Sequence, residues 1–333
     1  MTITQLMLDM AAGSASPKDE IAIQECLGHI NMSARNFEAA YAISDYPEDL
    51  PSIIVESAKD KNLPTDKGKA KEVANSAVIQ GLSTFYNLMI ATAKKVRAST
   101  ERELRAYAAL GKKYGINFDK QNFLTGFLNP LCQAVEKDGF LGKLDDRSFI
   151  KGKYATRMVE DYGKGMANLM SGYGLSIDNV FGDSVVGLIV RNSYSGKKTI
   201  KDLRDVESNM STGGKQLNFE KTLEKRTHYQ DYIKISDFKM LAISIYALSK
   251  ISESIIVVLG NASTKKTAMN NINKLFDAAT SGNKQVTRSV ESLSDGVKDW
   301  SANLNKLTSN MTDAFTTSSY QLLKLLKKSN KSK

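Results

Sequence analysis

Two histidines, His29 and His228, and two cysteines, Cys26 and Cys132, are the whole supply of imidazole and thiol in this 333-residue chain. A zinc site draws three or four such side chains, usually from closely spaced pairs. The chain has neither a CxxC nor an HExxH spacing, so no metal site is expected. The same scarcity leaves a Ser-His-Asp triad with few candidates, and no GxSxG elbow is present. Both cysteines sit among apolar neighbours. They read as buried free thiols in a protein made in a reducing compartment.

Phosphate-cradling chemistry fares no better. "SYSGKKT" offers Gly196 and Lys197 but lacks the upstream glycine and a hydroxyl residue directly after Lys197. "GYGLSIDNVFG" holds a GxG without a third glycine in register, and reads as a turn. The carboxylates of "LDDRSF" and "VEDYGKG" fit helix caps and solvating charges. The expectation is no catalytic residue, no cofactor, and a protein that is not an enzyme.

Charge points to a polyanionic neighbour instead. Lys and Arg number 46 against 36 Asp and Glu, a formal net charge of +10. Such an excess favours nucleic acid or an anionic membrane surface. "KKVRASTERELR" and "GKYATRMVEDYGKG" are the best basic candidates, but both alternate with acids as a solvated helix face does. At 41% hydrophobic and 25% charged residues, the chain can bury a sizeable core. The N-terminus lacks a basic region ahead of its apolar residues, so a secretory signal is not expected.

The elements that would position any site are helices. All five prolines, Pro17, Pro47, Pro51, Pro64 and Pro130, fall in the first 130 residues, which permits long helices beyond them. Short helices are expected before residue 70, then helices over 67–114, 119–138, 146–172, 237–259, 266–279 and 284–327. The fold class is all-α, a multi-helix body with a long C-terminal heptad-bearing helix. Its expected divisions are a helical body over 1–191, a polar glycine-punctuated connection over 192–235 and a C-terminal helical assembly region over 236–333.

Two of these helices carry patterns. Val286, Val290, Leu293, Val297, Trp300, Leu304, Leu307 and Met311 follow 4-3 spacing, a coiled-coil seam of more than three heptads. The seam serves either packing within the chain or assembly between subunits. "SDFKMLAISIYALSKISESIIVVLG" is the most apolar stretch. Leu241, Ile245, Leu248, Ile255 and Leu259 share its stripe, a candidate membrane or partner face. Lys239, Lys250 and Glu253 interrupt it, and a central charge costs about 2.5–3.5 kcal/mol on insertion scales. A simple single span is therefore not expected. A core helix, or one that changes environment on assembly, fits better.

The short N-terminal segment "MTITQLMLDMAA", the segments "GKKYGINFD" and "FIKGKYATRMVEDYGKGMANLMSGYG", and the heptads "VESLSDGVKDWSANLNKLTSNMTDAF" together give a texture. It resembles the internal, ejection-type virion proteins of short-tailed bacteriophages, nearest to those that package a virion RNA polymerase. The resemblance implies a helical structural protein, made in the host cytoplasm, stored in the virion and ejected with the genome. It implies a homo-oligomeric ring or tube extending the tail channel across the host outer envelope. Tail, portal or other ejection proteins would be partners, with non-specific DNA contact and outer-membrane contact. No functional residue is carried over from it. The other readings are a non-specific nucleic-acid-binding protein and a helical scaffold or adaptor.

Overall fold

The computed structural model describes residues 67–136, 139–144, 146–176, 197, 199–224, 227–229, 232–280 and 285–331. The short helices expected before residue 67, with Cys26 and His29, lie outside them. Of the described residues 83% are helical, which makes the fold all-α. The long helices are α1 (Lys67–Lys113), α3 (Gly152–Gly172), α4 (Leu203–Gln216), α6 (Ile235–Gly260), α7 (Ala262–Thr280) and α8 (Gln285–Lys331). A π-helical turn, Phe123–Leu128, runs into α2 (Asn129–Val135), and α5 is one turn, Glu220–Leu223.

Ends fall where local chemistry requires. α1 closes on Lys112 and Lys113, cations that suit a helix C-terminus. Gly115 then takes φ +72°, and the Ile116 amide donates back to the Gly111 carbonyl. α4 opens on Asp202, whose carboxylate accepts from the Arg204 and Asp205 amides at 3.0 Å each.

Side-chain pairs fix the directions of the helices. Phe85 packs on Trp300 and Tyr107 hydrogen-bonds Ser319, so α1 and α8 run parallel. At 47 residues each, they extend about 70 Å at 1.5 Å per residue. Tyr107 also meets Phe238, and Arg97 meets Glu253, so α6 runs against α1. The hydroxyls of Tyr162 and Ser252 lie 3.1 Å apart, placing α3 alongside α6. Strands β1 (Phe140–Lys143) and β2 (Asp146–Phe149) pair antiparallel with β4 (Tyr232–Lys234) and β3 (Thr227–Tyr229) respectively. The two pairings succeed one another along an interrupted ribbon that leads into α3 at one end and into α6 at the other.

The polar connection expected over 192–235 holds a helix. α4 lies inside it and buries Leu203, Val206 and Met210 in the common core. The glycines that read as punctuation are contact surfaces. A Cβ on Gly213 would stand 2.7 Å from the Gly165 carbonyl of α3, and one on Gly214 would stand 2.4 Å from Trp300 Cδ1. Gly296, costly to a free helix, leaves room for the same indole.

Within α4's first turn, Asp205 holds the preceding segment. Its carboxylate takes the Lys197 ammonium and the Lys201 amide, and Asn209 clasps the Lys197 backbone. The Lys197 hydrogen bond, foremost, holds the Asp205 carboxyl below its ordinary range.

Two outcomes are expected. Gly213→Ala and Gly214→Ala should each destabilise by about 1–3 kcal/mol through overpacking, read by urea unfolding. Gly260→Ala, which meets nothing within 4 Å, should not. Because the Asp205 pKa is depressed on folding, its stabilisation is present above the unfolded value of about 3.9 and is lost as pH falls through the folded value. The protection factor of the Lys201 amide should therefore fall in acid, and Asp205→Asn should abolish that dependence.

Candidate assembly interface

The heptad seam faces inward within a single chain. Val290, Leu293, Val297, Trp300, Leu304, Leu307 and Met311 are all buried. The side chain of Val286 lies outside the described residues. Trp300 sits where α1, α4 and α8 converge, its ring centroid 5.9 Å from that of Phe85. Asn303 donates to the Gly214 carbonyl beside it. Beyond Met311 the seam admits small polar residues, and these are bonded. Ser318 Oγ accepts the Ile150 amide at 3.0 Å, and Ser319 Oγ accepts the Tyr107 hydroxyl at 3.1 Å. Burial pushes the Tyr107 hydroxyl well above its ordinary range.

Leu241, Ile245, Leu248, Ile255 and Leu259 are likewise buried, and α6 packs most heavily on α1 and α3. By length and composition α6 could cross a bilayer, yet 67% of its most apolar window lies inside the fold. Most of its buried polar groups are satisfied at close range. Ser244 and Ser254 donate to the Met240 and Lys250 carbonyls of their own helix, and Ser252 pairs with Tyr162. Two of the three charges that interrupt the stripe meet each other: Lys250 Nζ lies 3.1 Å from Glu253 Oε2. Arg97 reaches across from α1 to Glu253 at 3.3 Å and holds Glu101 at 2.9 Å. Lys250 also stands 5.8 Å from the centre of the Tyr246 ring, which stacks flat on Phe123.

The remaining described features are those of a packed bundle. A cavity of about 10 Å³, room for about one water, lies among Thr100, Glu103, Leu248 and Met311. Burial raises the Glu103 carboxyl, with Arg102 opposing. The basic stretches of α1 and α3 pair with acids on their own helices, as in Arg97–Glu101 and Arg157–Asp161. Cys132 is a buried thiol, pushed up to about 12 by burial. Among the described residues no His/Cys/Asp/Glu group could hold a metal.

The Arg97–Glu253 bridge was invisible to sequence reasoning, because neither residue lies in a motif and the two are remote in the chain. Its only signal was a charged pair inside an otherwise apolar helix.

These features define the class: an all-α bundle with one span-length helix held among long partners. Comparisons with protein-family models, curated proteins and solved structures gave no match.

Breaking the cross-helix pair should leave charge stranded. Glu253→Ala is expected to cost about 3 kcal/mol, while Arg97→Met combined with Glu253→Met should recover much of that. A double-mutant cycle by urea unfolding checks this, and strict additivity would refute the pairing.

Proposed function

We propose that the protein is a structural subunit that self-assembles into a helical ring or tube, in the manner of the ejection-type virion proteins it resembles. In this reading it is stored in a phage particle, leaves with the genome and extends the delivery channel across the host envelope.

The observation that carries the proposal is α6. It is long and apolar enough to span a bilayer, and Ser244, Ser252 and Ser254 bond within the helix or to one tyrosine. Its central charges form an i,i+3 pair that travels with it. Such a helix can exchange one apolar environment for another with few polar groups left unsatisfied. Arg97, the Tyr162 hydroxyl and the Lys120 carbonyl would lose their partners on α6, and Arg97 keeps Glu101 on its own helix. The bundle then acts as a soluble sheath for α6. Seam residues now turned onto α1 and α4 would become available to neighbouring subunits when the sheath opens.

The long parallel pair α1 and α8 suits a wall element, since two rods of about 70 Å give a lateral face for tiling. The net charge of +10 would hold passing DNA by sequence-blind phosphate attraction.

The test is the mass and electron-microscopic appearance of the purified chain, with and without vesicles of outer-membrane lipids. Rings or tubes of discrete mass, with release of trapped dye, are the expected result. A monomer under every condition, with tight vesicles, would overturn the proposal.

A further inference from the structure

Among the described residues, the exposed large apolar side chains are Phe140, Tyr232, Val257 and Tyr320. Three of these are aromatic and lie on elements that meet at one end of the bundle. Phe140 and Tyr232 sit on the paired strands β1 and β4, 45% and 55% exposed, with ring centroids 6.0 Å apart. Their strand partners are lysines: Phe140 is opposite Lys234, and Tyr232 is opposite Lys143. Both lysines are exposed, while Leu141 and Ile233 between them turn into the core. The ribbon thus presents a lattice of two aromatics and two cations on its outer face.

The end of α8 lies against the core side of this ribbon, where Gly142 pairs with the buried Ile233. Leu325 Cδ2 lies 3.4 Å from where a Gly142 Cβ would stand. Tyr320, Lys324 and Lys327 follow i, i+4, i+7 spacing and form an exposed stripe, with Lys328 next to it. The described acids nearby are Glu136, exposed, Asp237, half-buried, and Asp146 on β2. Lys143, Lys234, Lys324, Lys327 and Lys328 outnumber them.

We propose that this end, formed by the β1–β4 ribbon and the last turns of α8, docks the protein on an anionic lipid bilayer. Aromatic rings and lysine stems settle at the level of the headgroups, where one end of the side chain is dry and the other wet. Clustered lysines draw the surface toward acidic lipid. The ring arrangement favours lipid over single-stranded nucleic acid. Phe140 and Tyr232 meet at 68°, edge to face, and so do not offer two parallel faces to successive bases. Docking needs no oligomer and no release of α6, so it is independent of the assembly reading.

The experiment is vesicle co-sedimentation of the full chain, with phosphatidylcholine alone and with 30% phosphatidylglycerol, at low and high salt. The mixed vesicles should bind at least tenfold better at low salt, with most of the difference lost at high salt. Lys143→Glu with Lys234→Glu and Lys324→Glu should reduce binding at least tenfold. Phe140→Ser with Tyr232→Ser should reduce it several-fold, and Lys265→Glu with Lys266→Glu on α7 should leave it unchanged. Phe140→Trp gives a second readout that does not depend on lost binding. Its new indole should be quenched by brominated lipid, while the buried Trp300 should not. Equal binding to neutral vesicles, equal loss from the α7 variant, or an unquenched Phe140→Trp would overturn the proposal. So would ribbon variants that lose DNA binding while keeping vesicle binding.

Discussion

The fold depends on keeping α6 out of water. A 26-residue helix of this apolarity must be covered on most sides, and α1, α3 and α8 supply the cover. Covering it also encloses Lys250 and Glu253, and an enclosed charge is tolerated only when paired and hydrogen-bonded. The Arg97 bridge answers that demand, and in doing so fixes the register of α1 against α6. Tyr162 against Ser252 does the same for α3. The most hydrophobic element therefore owes its alignment to its few polar atoms.

Close approach is the second constraint. Gly165, Gly213 and Gly214 bring α3, α4 and the Trp300 indole nearer than any side chain would permit. A bundle of long helices has many near-equivalent sliding arrangements. Large-into-absent contacts of this kind select one of them, because a shift of one turn would drive Trp300 or Leu217 into backbone. Gly152 contributes similarly: a Cβ there would stand 2.4 Å from Met240 Cβ, so the starts of α3 and α6 meet directly.

The arrangement also reconciles the two patterns that suggest assembly. A heptad seam and a span-length helix both demand an apolar partner, and within one chain each finds it in the same bundle. The demand can be met internally in water and externally in an assembly or a bilayer, since the partner required is a class of surface and not a particular sequence.

The sequence by itself determined the helical class and the main long helices. Apolar residues at three- and four-residue steps, and the lack of proline beyond Pro130, leave little alternative. The burial of the stripe from Leu241 to Leu259 was legible as one of its possible fates, because Lys250 and Glu253 argue against a simple span. The tertiary structure decided the rest. Strands of three and four residues are too short to carry an alternating pattern, so the ribbon and its aromatic–lysine lattice were not legible. The glycines of α4 read as loop because local propensity prices glycine only as a helix breaker. Its value here is the absence of a side chain at a contact between helices distant in sequence. The partner of Glu253 is the same case: periodicity tells which face of a helix is apolar, and only packing tells what stands opposite.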